Sequence, residues 1–308
     1  MMARIYQVVF ALWIITSPSL LWASDTELHF AAGVTAGIRD IDFELNNSVG
    51  EVKLQDMSGN TIAIVSPPGE VRLNLEETLY NFGFWGSVSF DRIYAKALVE
   101  LAPTENANIL VSTDNFSEFD PEEPWKNELE REDYSLTVGF DAGYGFSLFG
   151  GYKYTKFQAN GLDYNFILGS KDTRYTEEGV FLGGSYEWVF DNRMSVAFSV
   201  AYAFLDLEFG DVDLNSERDV GRPITFGEYN FGAVGRGLSA GLQWTVPVTE
   251  RWFFGAAAKY QNYESDSQTT VLEVNTIDPA TQIEPVVISN AKTDHTDVII
   301  SIGAQYLF

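Results

Sequence analysis

The side chains in this sequence that could carry acid–base chemistry are few. The 308 residues contain two histidines, His29 and His295, and no cysteine. His295 is followed two residues later by Asp297, and Asp40 and Asp42 form a second pair with the same spacing. Residues two apart in an extended strand lie on the same face. A histidine beside a carboxylate could then act as a general acid or base, so a hydrolytic site is one hypothesis.

Metal and cofactor sites are poorly supported. Two distant histidines and no cysteine cannot form the usual zinc ligand sets. Asp211, Asp213 and Asn215 have the opening spacing of a calcium-binding loop. However, Ser216 stands where the sharp-turn glycine is required, and Arg222 stands where the bidentate glutamate is required. The sequence predicts no cofactor and no bound metal.

The elements that position these candidates are predicted to be β-strands, because hydrophobicity alternates with period two. From Met194 to Phe204, for example, large apolar residues alternate with serine and alanine. A strand that crosses a bilayer needs about 9 to 11 residues. The same alternation predicts ten such strands, near 27–43, 75–90, 92–104, 132–143, 145–158, 177–190, 193–209, 233–247, 251–265 and 294–308.

The connections between the predicted strands are alternately long and short. The five long ones are 44–74, 105–131, 159–176, 210–232 and 266–293. This alternation is typical of barrels whose short turns face the periplasm. The sequence therefore predicts an all-β fold, an up-and-down antiparallel transmembrane β-barrel of about ten strands, closed by its first and last strands. Partial alternation from Glu51 to Val65 indicates an extracellular extension of the first hairpin, and a soluble β-sandwich is the alternative fold.

The first residues have the layout of a secretory signal. Arg4 precedes an apolar stretch from Val8 to Ile15, which is followed by Pro18 and a run ending at Ala23. A charged region, an apolar region and small residues before a cleavage site are typical of exported proteins. We predict a signal peptide over residues 1–23 and a single barrel domain over residues 24–308.

The last eight residues carry the most specific motif. Ser301, Gly303, Tyr306 and Phe308 supply a polar residue, a glycine, an apolar residue and a terminal aromatic residue. This pattern resembles the terminal signature of bacterial outer-membrane barrels. The resemblance implies a location in the outer membrane of a Gram-negative bacterium, among outer-membrane lipid and lipopolysaccharide. It also implies contact with the barrel-assembly machinery during biogenesis.

Strand parity predicts a set of polar residues in the lumen. They are Lys96, Glu100, Asp141, Lys153, Glu187 and Lys259. Eight strands give an interior that side chains just fill, so ten strands predict a narrow or plugged lumen. Charges of both signs favour a plug of salt bridges and hydrogen bonds. The alternative is a narrow pore, which the acidic excess would make cation-preferring.

Ten-stranded barrels include the omptin proteases, and this chain resembles that family in size and strand count. The resemblance implies an acid pair facing an Asp–His pair at the extracellular rim. Asp40 and Asp42 supply one pair of the right type, and His295 with Asp297 supplies the other. Parity turns Asp40 and Asp42 toward the lipid, however, and the two pairs lie on adjacent strands. We therefore expect His295 to form a surface ion pair, in a protein that is not an enzyme.

The charge of the chain limits its partners. With 19 Lys and Arg against 44 Asp and Glu, the net charge is −25, which argues against nucleic acid as a partner. Acidic residues crowd between Asp114 and Asp133, in a predicted extracellular loop. The sequence thus predicts an integral outer-membrane barrel with long acidic loops and a structural or surface-interaction role. A narrow cation-preferring channel is the first alternative, and an omptin-like surface hydrolase is the second.

Overall fold

The computed structural model describes residues 28–49, 52–56, 58–66, 69–113, 125–160, 172–213, 224–226, 228–266, 268–272, 274–276, 281–283 and 286–308. Ten long strands dominate it: β1 (Leu28–Val49), β4 (Gly69–Phe90), β5 (Ile93–Thr113), β6 (Trp125–Gly143), β7 (Phe146–Asn160), β8 (Asp172–Val189), β9 (Ser195–Asp213), β11 (Glu228–Pro247), β12 (Trp252–Ser265) and β16 (Val286–Leu307). Six short strands accompany them: β2 (Val52–Asp56), β3 (Thr61–Ser66), β10 (Ile224–Phe226), β13 (Gln268–Leu272), β14 (Val274–Thr276) and β15 (Thr281–Ile283). The predicted signal peptide and the residues from Asp114 to Pro124 lie outside the described part of the chain.

The ten long strands form one closed antiparallel sheet. Each pairs with the next long strand along the chain, and β1 also pairs with β16. The closing register runs from Ala31 opposite Leu307 to Val49 opposite Ile288. Closure leaves no unpaired strand edge in the bilayer. The predicted up-and-down barrel of ten strands is confirmed.

The outer face of the barrel carries an apolar belt. On β9 the exposed residues Phe198, Tyr202 and Phe204 belong to this belt, while the inward alanines between them are small. Beyond Phe204, the outward positions change to carboxylates, beginning with Asp206. The apolar belt can contact lipid tails, whereas placing the carboxylates among them would cost free energy. The change therefore marks the extracellular edge of the hydrocarbon layer.

The periplasmic turns are short, and three of them contain a non-glycine residue in left-handed backbone: Asp91, Tyr144 and Arg193. Gly143, Tyr144 and Gly145 have φ of 90°, 56° and 84° between β6 and β7. Left-handed backbone is costly for residues with a Cβ, so two of these three consecutive positions are glycine. No helix in the described residues is long and apolar enough to cross a membrane.

The extracellular ends of the strands are longer than the sequence predicts. β1 continues to Val49 instead of residue 43, and β4 begins at Gly69 instead of residue 75. The hydrogen-bonded pairing of β1 with β4 continues beyond the apolar belt. The outward side chains there are polar, so the sequence no longer shows the alternation of a membrane strand. The predicted extension of the first hairpin is confirmed, because β2 pairs with β3 and β15 joins them. β10 and β14 form a second small sheet.

Candidate functional site

Eight ionisable side chains from six strands meet inside the barrel, at the level where the apolar belt ends. This lumen charge cluster consists of Arg39 on β1, Glu100 on β5, Arg131 and Asp133 on β6, Lys153 on β7, Glu177 on β8, and His295 and Asp297 on β16. Its level follows from β1, where the inward Arg39 lies between the belt residue Ile38 and the exposed Asp40. The period of two places the cluster in the lumen.

Arg131 is the centre of the cluster. Its Nη1 and Nη2 donate to the two carboxylate oxygens of Asp297 at 3.0 and 2.7 Å. Its Nε and Nη2 also donate to Asp133 at 2.8 and 3.1 Å. The guanidinium carbon lies 4.3 Å from the ring centre of Phe157. Two bidentate carboxylate contacts and a cation–π contact hold the planar group in one orientation.

A second arginine ties the cluster to β5. Arg39 donates to Asp133 through Nη1 and to Glu100 through Nη2, the latter at 3.2 Å. The side-chain amide of Asn81 donates to the other oxygen of Glu100 at 3.2 Å. Arg39 Nη1 also lies 3.8 Å from Asp297 Oδ2. The two arginines therefore share Asp133 and enclose Asp297.

His295 bridges two carboxylates on opposite walls. Its Nδ1 lies 2.6 Å from Glu177 Oε1, and its Nε2 lies 3.1 Å from Asp297 Oδ1. Glu177 also accepts from Lys153 at 3.2 Å and from the Tyr175 hydroxyl at 3.1 Å. Arg131 Nη1 also lies 3.2 Å from Nε2, and an arginine can only donate, so it would hydrogen-bond to a neutral ring at this nitrogen. With a doubly protonated ring, both nitrogens would instead donate to carboxylates. The resulting imidazolium would balance the four carboxylates against Arg39, Arg131 and Lys153.

Four aromatic side chains pack against the cluster at the level of His295 and Arg131. The ring centres of Phe157, Phe43 and Tyr263 lie 5.2, 6.1 and 6.1 Å from that of His295. Tyr175 packs edge-on against Phe43 with ring centres 4.8 Å apart. All four aromatic side chains are buried. They keep water from the cluster, which strengthens its ion pairs and raises the cost of leaving any charge unpaired.

The cluster spans the lumen from wall to wall. On the shorter way round the barrel, β1, β4 and β5 separate β16 from β6. The Arg131–Asp297 pair nevertheless joins these two strands directly. The His295–Glu177 pair joins β16 to β8, across the interval occupied by β9, β11 and β12. The cluster is therefore a crosslink across the lumen.

The structure places the sequence-predicted lumen residues at three levels. Glu100 and Lys153 belong to the cluster. Lys96 and Lys259 line the lumen on its periplasmic side. Asp141 and Glu187 lie lower, near the ends of β6 and β8. Asp141 accepts a hydrogen bond from the backbone amide of Gly143 in the periplasmic turn.

The structure does not bring the Asp40–Asp42 pair and the His295–Asp297 pair together. Asp40 and Asp42 are exposed on the outer face of β1, as their parity predicts. His295 and Asp297 share the inner face of β16, at 1% and 0% exposure. The expected surface ion pair of His295 is therefore wrong, because both groups are buried inside the barrel.

Six cluster residues are missing from the predicted lumen set that contains Lys96, and two of these, His295 and Asp297, were predicted to lie at the surface. The other four were not singled out as candidates. They are Arg39, Arg131, Asp133 and Glu177. The same parity could have found them, since each lies an even number of residues from an inward neighbour on its strand. Above the belt, however, both faces of the strands carry charged residues. The alternation of large apolar and small residues therefore no longer identifies the inner face. No group of three or more His, Asp or Glu side chains in the described residues is arranged to hold a metal ion.

The comparisons with known proteins concern the fold. No protein-family model matches the sequence, and no curated protein sequence matches it significantly. Among solved structures, the outer-membrane protease OmpT of Escherichia coli aligns with a TM-score of 0.54 and 11% identity, over 93% of this chain and 100% of that one. This chain has the fold of an outer-membrane β-barrel. Its apolar belt locates the barrel in the outer membrane of a Gram-negative bacterium.

Two further barrels align less closely. The outer-membrane protein OprG of Pseudomonas aeruginosa aligns with a TM-score of 0.28 and 12% identity, over 89% of this chain and 95% of that one. A Pseudomonas aeruginosa FadL homologue aligns with a TM-score of 0.30 and 10% identity, over 90% of each chain.

The terminal motif lies in the closing seam of the barrel. Gly303 is paired with Thr35 on β1 and with Gly255 on β12. A Cβ at Gly303 would lie 1.8 Å from the carbonyl oxygen of Val34, so only glycine fits. The Phe308 side chain is exposed, while its backbone amide donates to the Phe30 carbonyl at 3.0 Å. The motif thus contributes to closure as well as resembling a biogenesis signal.

Proposed function

We propose that this chain is a non-enzymatic outer-membrane barrel with a closed lumen that acts at the cell surface. The observation that carries the proposal is the lumen charge cluster. Its cross-lumen pairs, Arg131–Asp297 and His295–Glu177, have side chains that are at most 1% exposed. A solute crossing the lumen would have to separate them, and breaking a buried ion pair costs about 3–5 kcal/mol. This cost disfavours a channel.

The outer rim supports a surface role. Exposed carboxylates occupy outward positions above the belt: Asp42, Glu44, Glu76, Glu128, Asp206, Glu208 and Glu264. The small sheet of β2, β3 and β15 extends the barrel beyond this acidic rim. We infer that long acidic loops continue the rim. Outer-membrane lipid and lipopolysaccharide are the proposed surroundings, the barrel-assembly machinery is the proposed biogenesis partner, and nucleic acid is disfavoured by charge.

The burial of His295 argues against hydrolysis. A general base has to come within hydrogen-bonding reach of the proton that it removes, directly or through one water molecule. His295 is 1% exposed, so a peptide at the extracellular surface cannot come within this reach. Asp40, on the outer face of the barrel wall, cannot reach the same substrate.

Planar-bilayer recording of the refolded protein tests the closed lumen. We expect no stepwise conductance from the wild type, at either polarity. Steady cation-preferring conductance would contradict the proposal and favour the narrow-channel alternative. Cleavage of surface-displayed peptides by the wild type, abolished by His295→Ala, would contradict the non-enzymatic assignment.

Deletion of residues 51–67 tests the surface role, because it removes the β2–β3 hairpin without touching the ten barrel strands. We expect the variant to keep the heat-dependent gel shift of a folded barrel. We also expect it to lose binding to lipopolysaccharide-coated or cell-coated surfaces. Unchanged binding would contradict a role for this rim.

A further inference from the structure

A cavity of about 180 Å³ lies in the lumen on the periplasmic side of the lumen charge cluster. Glu100, Asp133 and Lys153 of the cluster contribute to its wall. The rest of the wall comes from strands β5 to β9, β11 and β12. The cavity therefore lies inside the barrel, below the crosslink that closes the lumen.

The part of the wall formed by β7, β8 and β9 is apolar where two aromatic rings line the cavity. Phe149 is paired with Gly183, and Phe181 is paired with Gly151. A Cβ at either glycine would lie 2.6 Å from an atom of the facing ring, so each ring lies over a glycine of the neighbouring strand. Ala201 on β9 is paired with Gly183 and adds a small side chain. The two rings thus present an apolar surface to the cavity.

Lys259 on β12 lines the same cavity. Among the residues that the structure describes, it makes no hydrogen bond and no ion pair within 4.0 Å. Lys96 differs, because it has interactions of its own, including a contact with the Trp85 ring at 4.6 Å. The N–H groups of a lysine can donate hydrogen bonds, so Lys259 can hold an oxygen atom of a ligand. A polar group inside a protein is more stable with such a partner than without one.

The charged residues of the wall favour a neutral ligand over an ion. Glu100, Asp133 and Lys153 already form ion pairs within the lumen charge cluster. An ion that entered the cavity would lose its hydration, and these three groups could not compensate for the loss. The same loss of hydration disfavours an ammonium group at Lys259, so this side chain is better suited to hydrogen bonding than to anion recognition.

The volume of the cavity is sufficient for one aromatic ring, since a cavity of about 150 Å³ in another protein accommodates benzene. We propose that the cavity binds a small neutral aromatic compound with one oxygen atom. Its ring packs against Phe149 and Phe181, and its oxygen accepts a hydrogen bond from Lys259. This inference goes beyond the surface role and does not depend on it, because the cavity lies on the periplasmic side of the crosslink.

Calorimetric titration of the refolded, detergent-solubilised protein with benzyl alcohol tests the proposal. We expect saturable binding with a stoichiometry of one, beyond the heat of partition into protein-free micelles. Ala201→Leu places a larger apolar side chain in the cavity and should abolish this binding. Val200→Leu is the matched control, because Val200 is the neighbouring residue on the outer face of β9. This control should bind benzyl alcohol like the wild type.

Lys259→Met tests the hydrogen bond. We expect it to weaken binding of benzyl alcohol about two- to tenfold, because a hydrogen bond contributes about 0.5–1.5 kcal/mol. Binding of toluene, which has no oxygen, should not change. Lys292→Met is the control, because Lys292 lies at the extracellular outer edge and pairs with Glu264. This control should bind both compounds like the wild type.

Wild-type measurements keep the test independent of variant folding. Benzyl alcohol should bind more tightly than toluene, benzoate and benzylammonium. Absence of saturable binding by a heat-modifiable wild type would overturn the proposal, and so would unchanged binding by Ala201→Leu. Equal affinity for benzyl alcohol and toluene would overturn the role of Lys259, and tighter binding of benzoate would overturn the neutral ligand.

Discussion

Asp297 and Arg131 form a buried ion pair, and their burial determines how strongly the loss of either one destabilises the barrel. Both side chains are 0% exposed, and Arg131 donates two hydrogen bonds to the Asp297 carboxylate. A pair of this kind stabilises little relative to an apolar core, because both charges lose their hydration. Removing one partner is different, since it leaves the other charge buried and uncompensated.

Asp297→Ala should therefore destabilise the barrel strongly. We expect the free energy of unfolding to fall by about 3–5 kcal/mol, because Arg131 and His295 lose a shared carboxylate. Urea unfolding in detergent micelles, followed by the gel shift of the folded barrel, measures this. Asp206→Ala removes an equal charge from the exposed outer face and should change stability by less than about 0.5 kcal/mol. Similar losses in both variants would contradict the crosslink.

Gly303 stands in the closing seam of the barrel, at a position without space for a side chain. Gly303→Ala should hinder closure of β1 on β16, because its Cβ would overlap the Val34 carbonyl, which is backbone and cannot rotate away. We expect a lower yield of folded barrel in refolding without any assembly machinery. Gly86→Ala is the control, since its Cβ would meet its nearest atom at 4.0 Å. Normal refolding of Gly303→Ala in vitro with impaired insertion in cells would instead assign the glycine to recognition alone.

The strands change character along their length. Within the belt, their inner faces are mostly small or polar, and a cavity remains in the lumen. Above the belt, their inner faces carry the charge cluster and buried apolar residues such as Leu45, Leu75 and Leu129. This upper part resembles the core of a soluble protein, so it can fill the barrel without contact with lipid.

The turn between β2 and β3 should lose stability at low pH, when Asp56 becomes protonated. Hydrogen bonds from Asn60, through its side chain and its backbone amide, lower the pKa of Asp56 below its ordinary value of 3.8. Since the folded pKa is depressed, the stabilisation is present above the unfolded pKa and is lost as the pH falls through the folded one. NMR titration of the Ser58 and Asn60 amides should give a midpoint below 3.8. Asn60→Ala should move the midpoint of the Ser58 amide upward, and an unchanged midpoint would contradict the assignment.

The whole molecule is stable only if the belt and the bilayer coincide. Val200 lies near the middle of the belt on β9, and Glu208 lies on the same face above it. Val200→Arg should destabilise the barrel by about 2–4 kcal/mol in lipid, because arginine near the midplane is costly. Glu208→Arg should cost about 0–1 kcal/mol, since it lies outside the hydrocarbon. Unfolding in liposomes measures both, and equal costs would place the membrane elsewhere.

Much of the candidate site could have been predicted from the sequence, but not its connections. Parity identifies Glu100 and Lys153 as inward residues. It cannot tell that Arg39, on β1, and Asp133, on β6, share one ion pair, because strand pairing along the chain fixes only neighbours. Contacts across a lumen depend on barrel diameter and strand stagger, which are properties of the closed sheet.

The sequence by itself determined the membrane barrel and its closure. A period of two, alternating connection lengths and the terminal Ser301 to Phe308 motif are local patterns, and lipid allows few structures that satisfy them. The tertiary structure decided how far the strands extend and what fills the lumen. It buried His295 among carboxylates instead of leaving it at the rim. The physical reason is that burial and ion pairing inside a barrel arise between residues far apart in sequence, where no local pattern records them.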